Sequence, residues 1–270
     1  RMVARRTWRF FETFVGAEDN WLPPDNFQED PRPVVAHRTS PTNIGMLMLS
    51  TLSAHDFGYI STLEFVERQE LTFASLIKLG KFRGHCFNWY DTRTLEPLAP
   101  QYISTVDSGN LAGHLIALKQ AFIEMPEVKF LDQRVIEGLN DTILAISEEA
   151  GRLGTVRQRT EVVTVRHLRG EIEACKDLLT SDSNRSPWSW LILFNTLEKH
   201  GAEIADIVEA LSIEHGSESF QDLLWWVGAL RQQARSYRRD VTTLTPWGQL
   251  SLSPIEAAIE GLGEEARHGV

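Results

Sequence analysis

Val165-Arg-His-Leu168-Arg-Gly-Glu-Ile172-Glu-Ala-Cys175-Lys-Asp-Leu-Leu179 decides the fold class. Its apolar residues step by three, four, three and four, which lines them along one face of an α-helix. Working outward, Leu131, Val135, Leu139 and Ile146 repeat the period one segment earlier. Ile204, Ile207, Val208 and Leu211 predict a short amphipathic helix, and Phe220, Leu224, Val227, Leu230 and Ala234 a longer one. Ser40-Pro41, Ser186-Pro187 and Ser253-Pro254 each place a capping hydroxyl before a proline at the first helical position. Ser61 with Glu64, and Ser253 with Glu256, have the spacing of capping boxes. Residues 41–56 and 60–79 read as two helices joined by a turn at Gly58, and the pattern totals about ten helices.

Two segments escape the helical period. Residues 16–40 hold four of the eleven prolines. Residues 80–108 are rich in aromatics, with Phe82, Phe87, Trp89, Tyr90 and Tyr102. Within them, His85–Asp91 and Gln101–Val106 are expected to pair across Thr92–Pro100. Long loops in folded domains are more often functional than decorative. The expected architecture is therefore all-α with a small β-hairpin near 85–106, a front rich in chemistry and a plain helical back.

Composition excludes several classes. Hydrophobic residues at 42% and charged residues at 24% describe an ordinary folded protein. A formal charge of −10 argues against nucleic acid, whose phosphates are bound through lysine and arginine. Arg1, Arg5, Arg6 and Arg9 form a local exception, expected to be a solvated helix face. Cys86 and Cys175 are far apart and fit neither a disulfide scaffold nor a metal-ligand spacing, which favours a reduced, cytoplasmic-side protein. No apolar run approaches the roughly 18–20 residues that span a membrane. The opening Arg-Met-Val-Ala-Arg-Arg lacks the apolar core of a signal peptide.

The chain carries no Gly-rich phosphate loop, no His-Glu-x-x-His, no Cys-x-x-Cys and no Gly-x-Ser-x-Gly elbow. No cofactor or metal is expected. What remains suits sugars, whose apolar ring faces stack on aromatics and whose hydroxyls seek carboxylates and amides. Asn88-Trp89-Tyr90-Asp91-Thr92-Arg93 supplies both kinds of group. Asp107 and Asn110 add a carboxylate and an amide where a loop enters a helix. Asp25, Asn26 and Glu29, with His37-Arg38-Thr39, add more. Each has a structural alternative: Asp107 or Ser108 as a helix cap, Trp89 and Tyr90 as packing, His37 and Arg38 as loop anchors. Trp188, Trp190, Trp225 and Trp226 fall on regular helices and are expected in the core.

Four ordered words go further: Trp21-Leu-Pro-Pro-Asp-Asn-Phe-Gln-Glu29, Ala36-His-Arg-Thr-Ser-Pro-Thr-Asn-Ile-Gly45, Gly84-His-Cys-Phe-Asn-Trp-Tyr-Asp-Thr-Arg-Thr-Leu-Glu-Pro-Leu98 and Ser104-Thr-Val-Asp-Ser-Gly-Asn-Leu-Ala-Gly-His114. In these the chain resembles the cyclic β-1,2-glucan synthases. The resemblance implies a very large bacterial inner-membrane enzyme. Its parts are a UDP-glucose-dependent glucosyltransferase, a glucoamylase-like (α/α)₆ region that closes linear glucan into a ring by transglycosylation, and a phosphorylase-like end. Residues 1–124 would open the glucoamylase-like region, giving a partial (α/α)₆ toroid. Residues 125–270 would be a helical bundle, an insertion or docking module. By the same resemblance the partners are β-1,2-glucan and other domains of one polypeptide, on the cytoplasmic side, with UDP-glucose used elsewhere. Asp25, Asn26, Arg38, Trp89, Tyr90, Asp91, Asp107 and Asn110 are the expected sugar-binding residues. The family's catalytic glutamates have no counterpart here, so the isolated segment is expected to be inactive. A stand-alone β-glucan hydrolase would instead need a close acid pair, such as Glu29 with Asp91 or Asp107.

Overall fold

In the computed structural model, residues 1–152, 159–180, 185–215 and 220–249 are described, with the backbone alone for 159–163, 214–215 and 248–249. They divide into two units, Arg1–Glu148 and Glu149–Val270. The all-α expectation holds: eight α-helices dominate the described residues, and the strands are two-residue pairs.

The first unit contains α1 (Met2–Phe14), α2 (Pro41–Asp56), α3 (Thr62–Lys78), α4 (Thr105–Glu124) and most of α5 (Gln133–Arg152). Its helix starts follow the sequence signals. The Ser40 hydroxyl accepts from the Asn43 N–H at 3.2 Å with Pro41 at the first turn, and the Ser61 hydroxyl accepts from the Glu64 N–H at 3.5 Å. The turn between α2 and α3 depends on Gly58, whose φ is +76°. A Cβ there would lie 2.1 Å from the Arg134 carbonyl oxygen, and one on Gly138 would lie 2.1 Å from the Gly58 carbonyl oxygen. The α2–α3 turn and α5 thus meet backbone to backbone, which only this pair of glycines permits. Leu22, Ile44, Met48, Ile60, Phe65, Tyr90 and Leu118 fill the core.

Six short strands brace the loops: β1 (Phe27–Gln28), β2 (Val34–Val35), β3 (Arg38–Thr39), β4 (Lys81–Phe82), β5 (His85–Cys86) and β6 (Tyr90–Asp91). All three pairings are antiparallel: β1 with β2, β3 with β6, and β4 with β5. The small hairpin is present, with a different register from the one expected. It closes tightly through β4 and β5, while β6 crosses to β3 of the proline-rich loop. Gln101–Val106 forms no strand. It meets the aromatic loop through the Asn88 N–H, which donates to the Tyr102 carbonyl at 3.0 Å. It then becomes helix, because Ser104 caps α4 by accepting from the Asp107 N–H at 3.1 Å. The cap is therefore Ser104, not Asp107 or Ser108, and α4 starts five residues before Asn110.

The amino-terminal arginines are only partly a solvated face: Arg1 and Arg6 are exposed, whereas Arg5 is buried. Arg5 is 0% exposed; its Nη1 meets Glu12 at 2.7 Å and its Nε donates to the Thr142 hydroxyl at 2.9 Å. Arg1 pairs with Glu137 at 2.9 Å and Asp141 at 2.8 Å, and Arg6 pairs with Glu148. The reason lies on α5, which presents these three acids at helical spacing along one side. Burial pushes the Glu12 carboxyl above the ordinary value, outweighing the opposing pull of Arg5.

The second unit contains α6 (Arg159–Thr180), α7 (Pro187–His215) and α8 (Gln221–Leu244). The helix expected around 204–211 is part of the 29-residue α7, since a lone Gly201 weakens a helix without breaking it. Ser186 starts it by accepting from the Ser189 N–H at 3.2 Å. The face read first in the sequence is buried at Leu168, Ile172, Cys175 and Leu179. Between α7 and α8, Trp190, Phe194 and Tyr237 stack in series, with ring centroids 5.5 and 5.6 Å apart. Trp190 and Trp226 are core residues as expected, Trp225 is half-buried, and Trp188 is exposed. Both cysteines are free and buried, and burial pushes the Cys175 thiol up to about 12. The capping signals at Ser253, Pro254 and Glu256 lie outside the described residues.

Candidate functional site

Helices α2 and α4 run side by side in the same direction. Thr42 meets Asp107 and Asn110 near their starts, and Gly45 packs on His114 one turn further along. A Cβ on Gly45 would lie 2.2 Å from His114 Nδ1, so the crossing is close because Gly45 has no side chain. This brings the amino ends of both helices to one end of the unit. The loop before α2 and the loop before α4 are tied together there by the β3–β6 pairing.

Six of the eight nominated residues form a linked polar cluster at this end. Asp25 is its hub. Arg38 donates to Asp25 Oδ2 through Nη2 at 2.9 Å and Nε at 3.2 Å, and the Arg38 guanidinium lies 4.8 Å from the centre of the Trp89 ring. Asn26 donates to the same oxygen at 3.3 Å, while Asn43 of α2 reaches the other oxygen at 3.3 Å. One residue earlier, Thr42 donates to Asp107 at 2.5 Å and accepts from Asn110 at 3.1 Å. The first turn of α2 therefore joins the Trp89–Arg38–Asp25–Asn26 group to the Asp107–Asn110 group. Arg38, Asn26 and Asn110 are exposed, and Trp89 is half-buried.

Of the other two nominated residues, Tyr90 is a core residue and Asp91 is half-buried beside Arg38 in the β3–β6 pairing. Tyr90 is 0% exposed, and its hydroxyl donates to the Gly80 carbonyl at 2.6 Å and accepts from the Phe87 N–H at 2.7 Å. It has no face to offer a ligand. Asp91 closes its own loop by accepting from the Arg93 and Thr94 N–H groups at 2.9 and 2.8 Å. The Thr94 bond chiefly holds its carboxyl below the ordinary value. An Asx turn of this kind sets the loop's shape.

A second polar chain sits beneath. Asp19 bonds His37 Nδ1 at 2.8 Å and also accepts from the Thr92 hydroxyl. His37 Nε2 faces Arg93 at 2.7 Å, and Arg93 pairs with Glu18 at 3.0 Å. Asn20 donates to the carbonyls of Thr92 and Arg93 at 2.9 Å each. Sequence reasoning missed Asp19, Asn20, Thr42 and Asn43. Only Ser40-Pro41 gave a signal nearby, and it marked a helix start. Glu29 is exposed and enters none of these contacts. A separate hollow of about 330 Å³ lies toward the far ends of α2 and α4, lined by Leu52, His55, Phe122, Met125, Phe130 and others, with none of the nominated residues.

Over 174 residues, 64% of its length, the chain is 51% identical to Cyclic beta-(1,2)-glucan synthase NdvB of Rhizobium meliloti (strain 1021). It matches a segment of a cyclic β-1,2-glucan synthase. The resemblance carried by the four words is thereby borne out. The matched part is 6% of that synthase's length. No family model matches the chain. Among the described residues, no helix is long and apolar enough to cross a membrane.

Proposed function

We propose that the loops at the amino ends of α2 and α4 bind β-1,2-glucan as one wall of the cyclisation region of a cyclic glucan synthase. The observation that carries this is the linked group of Trp89, Arg38, Asp25, Asn26, Asp107 and Asn110. Asp25 holds both Nε and Nη2 of Arg38, which fixes the guanidinium over one face of Trp89. In this reading the exposed Arg38 would meet a sugar hydroxyl and the accessible part of the Trp89 ring an apolar sugar face. Asn26 and Asn110 contribute amides, and the amino ends of two parallel helices add their positive dipole ends. Tyr90 and Asp91 support this wall from inside.

Helix direction also favours an (α/α) toroid, because α2 and α4 run in parallel while α3 connects them. Contact with other domains is expected at α4. Val106, Ile116 and Ile123 on that helix are 70%, 71% and 59% exposed, although Leu111 and Leu118 are buried. A helix apolar on nearly all sides belongs in an interior. The parent synthase would make linear glucan from UDP-glucose and close it into a ring at the inner membrane, with the catalytic carboxylates of closure outside these residues.

An NMR titration of the indole N–H groups tests the assignment. With linear β-1,2-glucan, the Trp89 signal should shift while those of buried Trp190 and Trp226 stay still. A fixed Trp89 signal at saturating glucan would remove Trp89 from the wall.

A further inference from the structure

We propose that α6 and α7 carry a divalent transition-metal site built from His167, Glu171, His200 and Glu203. Glu171 follows His167 by four residues on α6, and Glu203 follows His200 by three on α7. Each helix therefore offers an imidazole and a carboxylate from one side. The two pairs face each other. His200 Nδ1 lies 2.6 Å from one oxygen of Glu171, and His167 Nε2 lies 3.4 Å from the other. Donor atoms of Glu171, His200 and Glu203 all fall within 4.8 Å of one another, and all three residues are half-buried.

Donor chemistry selects the ion. Two nitrogens and carboxylate oxygens suit zinc and its first-row neighbours, whereas magnesium and calcium prefer oxygen alone. Bonds of about 2.0–2.2 Å to nitrogen and oxygen place tetrahedral donors roughly 3.3 Å apart. Reaching that spacing requires opening the 2.6 Å bond, drawing Glu203 inward and swinging in the exposed His167, which stands outside the mutually close trio. Charge agrees as well. Two carboxylates supply −2, which one divalent ion balances. Among the described residues, Glu203 pairs with the exposed Lys199 at 3.9 Å. Such an ion would pin α6 to α7 and act as a structural clamp within the second unit.

Calorimetric titration of the chain with Zn²⁺, using Mg²⁺ as control, tests this site. One equivalent of Zn²⁺ should bind, raise the melting temperature and leave Mg²⁺ without effect. Outer-shell partners alone change metal affinity by about 10–100-fold, so His200→Ala should weaken zinc binding by at least ~100-fold. Glu203→Gln, at a side chain 41% exposed, leaves the fold intact and should weaken binding by at least ~10-fold. Absence of saturable zinc binding would overturn the site. So would equal affinity in parent and Glu203→Gln, because zinc would then sit on others of the eight histidines.

Discussion

The two units reach stability by different routes. The second is a stack of aliphatic and aromatic side chains on α6, α7 and α8, written in the sequence as a plain helical period. In the first, helices are pinned by buried ions and touching glycines, and its loops are shaped by polar side chains bonded to backbone. Periodic burial makes a scaffold that tolerates change at exposed points. A polar lattice makes a rigid surface of defined shape, and that surface is where a sugar would be read.

The sharpest way to break the comparison is to remove one member of each kind. Arg5→Ala takes the bonded partner from the half-buried Glu12 carboxylate and should cost about 3–5 kcal/mol, seen by denaturant melts of the first unit. Because the Glu12 carboxyl already sits above its ordinary value, the penalty should shrink as pH falls and Glu12 takes up a proton. Phe194→Ala empties the aromatic stack and should cost about 3–5 kcal/mol as well, with no dependence on pH. A pH-independent Arg5→Ala penalty would erase the distinction between the units.

Smaller effects sharpen it. Gly138→Ala drives a methyl into the Gly58 carbonyl and should cost about 1–3 kcal/mol, whereas Trp188→Ala on the exposed side of α7 should stay within about 0.5 kcal/mol. The Asp91 carboxyl is held below its ordinary value by the fold, so its contribution is present above the ordinary carboxylate range. It should be lost as pH falls through the depressed value. Asp91→Asn, which keeps an accepting oxygen for the Arg93 and Thr94 N–H groups, should flatten that acid limb while preserving the loop, checked by melting against pH.

The sequence shows helices and caps wherever a single local rule decides them. Ser40, Ser61 and Ser186 bond where a capping hydroxyl should, and the 165–179 face is buried. Contacts distant along the chain were hidden. Nothing near Arg5 announces Thr142, and nothing near Arg38 announces Asp25 as the group that holds it over Trp89. Strand register failed for the same reason: β6 pairs with a strand about fifty residues earlier, and Ser104 captured the expected return strand as a helix start. Six of the eight nominated residues meet in one cluster because loops rich in carboxylates, amides and one tryptophan converge at the starts of α2 and α4. Tyr90 was misjudged because an aromatic beside polar residues looks alike whether its hydroxyl faces solvent or a buried carbonyl.

Calorimetric titration of the chain with linear β-1,2-glucan, with linear β-1,3-glucan as control, tests the central claim most directly. Selective binding of the β-1,2-glucan, weakened at least tenfold (about 1.4 kcal/mol) by Trp89→Ala or Arg38→Ala and unchanged by Trp188→Ala, is the predicted result. Binding of neither glucan, or binding indifferent to Trp89 and Arg38, would contradict it.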